Sequence, residues 1–442
     1  MSEHGHPKAV YFLSTVRLWE RFSYYGVRAI FVLFLTDISS FNFSDELANN
    51  LYAWFIGLVY LTPLIGGYIA DRYWGNVRTA IWGSWITVAG TVALAFSATS
   101  YSTLTLTIFY ISVFLMVLGG GITNPCTTSL VGDFYEPNDP RCDGGFTIFY
   151  MGINIGAFLS PIICGWLGER VSWSWGFGSA AIGMLISTLI LVLGRKKYLG
   201  DRGMCANVPK INVGSSCVPK DDKPLTKEEK QKIAVIFIMA FFTIFFWAAY
   251  EQAGSSLTLF AERSTNRMIP FINWVMPASW FQSMNPLFIF LLAPLFSNLW
   301  IYLADRKREP STPAKFVWAL VFIAAGFVLM VAAVFFERIY GPVSILWLTG
   351  AYFLHTIAEL CISPVGLSLV TKLSPVKFAS MLMAIWIGSS FFSNLVSGIF
   401  AGSYSSMEHG RFFMIPVIVT MASAALLFVI IRPLKRWMHG VH

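Results

Sequence analysis

Apolar runs of 20 to 30 residues recur twelve times along this 442-residue chain, and that repetition restricts the fold more than any single motif does. A run of that length suits an α-helix crossing the roughly 30 Å hydrocarbon core of a bilayer. A barrel strand would need only about ten residues in strict apolar and polar alternation, a pattern that does not occur here. The runs read as spans at 10–37, 47–70, 79–98, 103–132, 146–168, 174–194, 233–261, 280–304, 314–337, 344–371, 379–402 and 410–432. Charged residues make up only 12% of the chain, about half the content of soluble domains, so the expected class is an all-α polytopic membrane protein. The stretch Met1 to Lys8 is polar, and the run after it is too long and too charged for a cleavable signal, which predicts a retained first helix.

Charge sets the expected orientation. With the N-terminus in the cytoplasm, 23 lysines and arginines fall on the cytoplasmic side and five outside, while Arg17, Arg21 and Arg28 lie within the membrane. The excess satisfies the positive-inside rule with both termini inside. The net charge of +8 is thereby explained by topology, and no nucleic-acid partner is needed to account for it.

The first span carries Arg17, Glu20, Arg21, Tyr24 and Arg28 within about 100° of helical arc. Each charge held at mid-bilayer costs roughly 2.5 kcal/mol or more unless it is paired or hydrated, so four in one helix predict a polar cavity. Glu251 and Glu359, isolated acids in apolar helices, point to the same interior.

Tyr68-Ile69-Ala70-Asp71-Arg72 closes the second span, and Tyr302-Leu303-Ala304-Asp305-Arg306 closes the eighth. That repeat predicts a six-helix bundle at 1–194, a cytoplasmic linker at 195–232 and a second six-helix bundle at 233–442. Two pseudo-symmetric halves of six helices are the architecture of the major facilitator fold, in which substrate sits near mid-membrane and access alternates. Near the end of the linker, Thr226 with Glu229 three residues on predicts a capped helix start. The segment from Gly66 to Thr79 resembles the cytoplasmic loop signature of the same superfamily. In it Gly67 and Gly75 would permit close helix approach, Asp71 would cap a neighbouring helix, and Arg72 or Arg78 would pair with an acid.

Four further stretches, Glu20-Arg21-Phe22-Ser23-Tyr24-Tyr25-Gly26, Phe149 to Ala157, Phe246 to Gln252 and Glu359 to Ser368, resemble signatures of the proton-coupled oligopeptide transporters. The resemblance covers nearly the whole chain. It implies that Arg28, with a lysine in span four, holds a peptide carboxylate and that Glu359 holds the amine. It also implies that Tyr24, Tyr60, Asn154 and Asn285 bond the peptide backbone, and that Trp247, Trp386 and Ser363 shape the pockets. Glu251 would pair with Arg28 when the outer gate is closed, and its protonation would release the pair.

Two positions depart from the pattern. Arg17 stands where the family has glutamate, and Asn124 stands at the lysine position of span four. One reading makes Arg17 a replacement cation for Glu20, Glu359 or substrate, with Glu20, Arg21 and Glu251 serving coupling and gating. The other lets Arg17 snorkel to the interface. His355, one turn before Glu359, is either a proton site or a packing residue. Pro125, Pro161, Pro286 and Pro364 are expected to bend their helices. Cys126, Cys164 and Cys361 fall in spans and Cys142, Cys205 and Cys217 in cytoplasmic loops, so no disulfide framework is expected.

The expected activity is import of di- and tripeptides by proton symport with alternating access. The expected setting is a bacterial inner membrane, with a monomer in the lipid bilayer, the proton as coupling ion, and neither metal nor other cofactor. A same-fold carrier of another small anion and a peptide facilitator or receptor stand as alternatives. No phosphate loop or nucleophile elbow supports an enzyme.

Overall fold

The computed structural model describes residues 5–135, 139, 141–204, 226–269, 273–375 and 378–439. Twelve long helical spans match the apolar runs one for one. The first is Lys8–Thr36. The second joins Asp45–Leu61, Pro63–Ile69 and a π-helical turn at Ala70–Trp74. The third to sixth are Asn76–Ser97, Thr103–Gly132, Cys142–Arg170 and Trp173–Tyr198. The seventh is broken into Lys227–Tyr250, a 3-10 turn at Glu251–Gly254, and Ser256–Arg263. The eighth enters through a 3-10 segment, Ala278–Ser283, and continues as Met284–Asp305. Thr312–Tyr340, Ile345–Leu373, Ala379–Gly402 and His409–Trp437 complete the set.

Among the described residues, eleven helices are long and apolar enough to cross a membrane. The first span is the exception, because Arg17, Glu20, Arg21 and Arg28 interrupt it, and all four are buried. An even number of crossings leaves both chain ends on one face, termed the terminal face here; the opposite side is the distal face. His6 bonds Tyr135 at 2.9 Å and His439 bonds Gln231 at 2.7 Å, tying the two ends to that terminal face. On the distal face, Thr265–Asn266 pairs in parallel with Val343–Ser344, and Met268–Ile269 pairs antiparallel with Trp274–Val275.

Helix starts follow local chemistry. Thr226 accepts the Glu229 amide at 3.2 Å while Glu229 accepts the Thr226 amide at 2.8 Å, the reciprocal cap expected from the sequence. Ser102 and Thr105 make the same exchange at the start of the fourth span. The central linker is shorter than the sequence suggests, since the sixth span runs on to Tyr198 and the seventh begins at Lys227. Arg202 then bonds the Asp133 carbonyl at 2.9 Å, and the Gly203 carbonyl accepts the Val77 amide at 2.8 Å, so the start of the linker lies against the first half. Cys205 and Cys217 are outside the described residues; Cys126, Cys164 and Cys361 are free and buried, and Cys142 opens a helix.

The loop signature behaves differently from its expected roles. Gly75 has φ of +76°, which explains the glycine. Gly67 has nothing within 4 Å of a would-be Cβ; its neighbour Gly66 makes the close approach, with Ile122 Cα 2.6 Å from that position. Asp71 and Arg72 lie in the π turn and are exposed. The third span has no side-chain cap, and Arg72 bonds the Tyr68 hydroxyl at 3.1 Å in place of an acid. Pro125 and Pro161 lie inside their helices as expected. Pro286 falls in the first turn of Met284–Asp305, where its missing N–H costs no helical bond, and Pro294 is the interior proline of that span. The side chain of Pro364 is outside the described set.

Candidate functional site: a polar cavity between the halves

Residues from both halves enclose a cavity of about 250 Å³. Tyr25, Arg28, Tyr60, Tyr150 and Asn154 face it from the first half. Trp247, Tyr250, Glu251, Asn285, Tyr352, Glu359 and Ser363 face it from the second. A further chamber of about 210 Å³ shares Tyr60, Trp247, Glu251 and Ser363 with it and extends past Trp386 and Asn394. Tyr150, two turns from the terminal-face end of its helix, forms part of the cavity wall.

Two acids organise the interior. The Glu251 carboxylate accepts from Arg28 Nη2 at 2.5 Å, and Arg28 Nε donates to the Tyr52 hydroxyl at 2.8 Å, so a buried ion pair joins the two halves. Arg28 and Glu251, expected to pair from the sequence, are in contact. Glu359 has a different setting. Its Oε2 accepts from Tyr250 at 2.6 Å and from Asn285 at 2.7 Å, both neutral donors.

The third acid, Glu20, is enclosed within the first half. Arg17 Nη1 donates to its Oε2 at 2.9 Å, and Arg21 donates to Oε2 and Oε1 at 2.9 and 3.1 Å. Arg17 also donates to the Asn124 side-chain oxygen, joining spans one and four at the two positions that depart from the family pattern. Arg17 is only 5% exposed, which excludes snorkelling. Its carboxylate partner is Glu20; neither Arg17 nor Asn124 lines the cavity. The cluster of two cations and one anion carries a formal +1.

Tyr24 also lies elsewhere. It sits beside a small separate void with Glu20, Arg21 and Thr87, its ring 4.9 Å from the Arg21 guanidinium, and Tyr25 takes the cavity-facing position. His355 touches the cavity, but its ring packs 4.9 Å from that of Phe327 and against Gly326 on span nine, with no hydrogen bond to Glu359; this is the packing arrangement.

Beyond Arg28 and Glu251, the distal side is closed by contacts that sequence reasoning missed. Asp45 grips Arg263 with two bonds, 2.6 and 2.9 Å, and also accepts from Ser405. Glu169 accepts the amides of Ala278 and Ser279 at 2.7 and 2.9 Å and the Ser279 hydroxyl at 2.6 Å, capping the segment that leads into span eight. Trp280 and Ser283 bond the carbonyls of Ile162 and Phe158. Tyr150 and Tyr352 were also missed, although helical spacing marks both: Tyr150 lies four residues before Asn154, and Tyr352 lies seven before Glu359.

Two bundles of six helices, closed on the distal face around a charged cavity, define a membrane transporter of the major facilitator fold. The sequence profile described as the POT family matches residues 77–213 and 204–414. The chain is 33% identical to the uncharacterised transporter YclF of Bacillus subtilis, over 99% of this chain and 96% of that protein. It is 32% identical to the peptide transporter YePEPT of Yersinia enterocolitica over the same shares. Among solved structures, a peptide transporter POT bound to sulfate superposes with a TM-score of 0.90 at 30% identity, covering 100% of this chain and 97% of that one. A mutant POT bound to alafosfalin gives 0.88 at 31% identity over the same shares. The chain belongs to the POT family.

Proposed function

We propose that this transporter carries di- and tripeptides inward, coupled to protons. The observation that carries the reading is one cavity bounded by Arg28 on one half and by Glu359 on the other, with Glu359 held by the neutral donors Tyr250 and Asn285. Every short peptide has a carboxylate and an amine a small number of bonds apart, so holding the two ends accepts many side chains. Asn154, Asn285 and Tyr60 are within the same wall and serve the peptide backbone; Trp247, Trp386 and Ser363 surround the side-chain chamber. The curated relative from Yersinia and two di- and tripeptide transporters of Lactococcus lactis favour the same substrate class.

Glu251 is the coupling group in this reading. Protonation removes the charge that pairs with Arg28, which frees the guanidinium for a substrate carboxylate and loosens the contact between halves. Glu20, with three bonds from two arginines, acts as a fixed counter-ion, and Arg17 supplies that cluster with the cation that span four lacks. The terminal face is cytoplasmic by its excess of lysine and arginine, the host membrane is the bacterial inner membrane by analogy with bacterial relatives, and the functional unit is the monomer.

Proteoliposomes loaded with neutral buffer provide the test. Accumulation of labelled dialanine above equilibrium only with an inward proton gradient is the expected result. Equilibration that ignores the gradient would make the protein a facilitator, binding without uptake would make it a receptor, and uptake of small anions in place of dialanine would overturn the peptide reading.

A further inference from the structure

Span seven breaks beside the cavity. Its α-helix ends at Tyr250, a 3-10 turn follows over Glu251–Gly254, and Ser255 takes φ −127° and ψ −100° before helix resumes. A 3-10 interruption within a long helix often marks a hinge. The two residues at the break point in different functional directions: the Tyr250 hydroxyl holds Glu359, and the Glu251 carboxylate holds Arg28. Both ends of the substrate site are thus occupied by neighbouring residues of one turn.

That turn is fastened by a side chain that does not line the cavity. Gln252 is fully buried, and its Nε2 donates to the Ala248 carbonyl at 3.3 Å, to the Ser397 carbonyl at 3.0 Å and to the Ser397 hydroxyl at 2.9 Å. Its Oε1 accepts from the Ser256 hydroxyl at 2.6 Å. One amide therefore connects helix before the break, helix after it, and span eleven. The Ala253 carbonyl is met from outside as well, by Tyr352 at 3.1 Å and Thr258 at 2.8 Å. A buried amide with both of its polar atoms satisfied fixes geometry strongly, because a partial network is costly.

We propose that Gln252 is a positioning residue that makes the two ends of the cavity act together: by stapling the broken turn to Ser397 it sets Tyr250 on Glu359 and Glu251 on Arg28 as one unit. A ligand that displaces Glu251 from Arg28 shifts the turn and withdraws Tyr250 from Glu359, and the reverse also holds. A ligand with both charged ends gains from this linkage; a ligand with one end does not. The choice of ligands rests on the peptide reading above.

The test compares Gln252→Leu with the parent for binding of dialanine, dialanine amide, which lacks the carboxylate, and N-acetyl-dialanine, which lacks the amine. Loss of the linkage is expected to weaken dialanine about ten-fold while both single-ended analogues stay within about two-fold. Ser397→Ala, which removes one acceptor and leaves the amide in place, should give the same pattern at about three-fold. Equal weakening of all three ligands, or no change in any, overturns the proposal. Spin labels at the exposed distal positions Tyr101 and Leu346 supply a readout that needs no peptide. Gln252→Leu should broaden that distance distribution toward separation, and an unchanged distribution overturns the proposal. If the parent binds none of the three ligands, the peptide reading has failed and the distances alone decide the role of Gln252.

Discussion

Replacing Glu20 by glutamine tests the charge arrangement of the first span most directly. Glu20 is the one anion serving Arg17 and Arg21, through bonds of 2.9, 2.9 and 3.1 Å, and all three side chains are at least nine-tenths buried. At an effective dielectric near 20 each unit-charge attraction at about 4 Å is worth roughly 4 kcal/mol, largely offset by desolvation. Removing the shared anion leaves two buried guanidinium groups with no counter-charge, so the expected destabilisation is about 3–5 kcal/mol. Arg17→Gln is a different case. It leaves Glu20 with both Arg21 bonds and removes one of two like charges, so about 1 kcal/mol of loss is expected, the scale of the lost hydrogen bonds.

The double variant Arg17→Gln with Glu20→Gln should lose less than the sum of the singles by about 2 kcal/mol, since only one unpaired cation then remains. Thermal and denaturant unfolding of purified protein in one detergent, followed by tryptophan fluorescence, gives the three values. Equal losses for the two single variants, or strict additivity in the cycle, would refute the account of Glu20 as a shared counter-ion. Dipeptide uptake by Arg17→Gln at several pH values adds the functional side: uptake equal to the parent at every pH would show that the relocated cation has no part in transport.

Glu359→Gln should abolish tight binding of dialanine while binding of N-acetyl-dialanine changes by less than about three-fold, measured by calorimetry, because only the former presents an amine. Asp45→Asn weakens the two-bond grip on Arg263 at the distal face; with Arg263 partly exposed the loss is about 1 kcal/mol, and spin-label distances across that face should show several-fold more of the open form. Gly66→Ala should cost stability, since its Cβ would lie 2.6 Å from Ile122 Cα, whereas Gly67→Ala should leave the melting temperature unchanged because nothing lies within 4 Å.

Twelve spans were legible because membrane-length apolar runs and backbone satisfaction in lipid leave few alternatives to helices. Glu251, Glu359 and Arg28 were legible for a related reason: a charge in an apolar run needs a partner or a cavity. What spacing along one helix did not convey was the partner on another helix. Tyr24 and Tyr25 are consecutive, and either could face the cavity until the rotation of span one against spans five and six is known. Asp45, Glu169 and Arg263 sit at span ends, where a charged residue has an ordinary solvent-facing explanation, so nothing local distinguishes a gate from an interface. The loop signature misled at Gly67 because two consecutive glycines do not show which one faces the neighbouring helix, and it is Gly66 that meets Ile122.

The departures at Arg17 and Asn124 gain a physical sense when the charges are taken as one set. Arg28 and Glu251 cancel, Glu359 is an anion on the second half, and the Arg17, Glu20 and Arg21 cluster is +1 on the first. With all ionised the interior is neutral overall, but its charge is separated across the plane between the halves. A lysine on span four and a glutamate at position 17 would contribute no net charge as a pair, whereas arginine at 17 with asparagine at 124 contributes +1, so Glu20 is left with two cations. The first half therefore presents a net positive interior to a net negative one, and a zwitterionic substrate lying along that direction would have each end toward the opposite charge. Reversing the separation tests this ordering: Arg17→Glu, which changes the first-half cluster from +1 to a formal −1, should weaken dialanine binding more than Arg17→Gln does, and equal effects of the two variants would mean that the cluster acts only on helix packing.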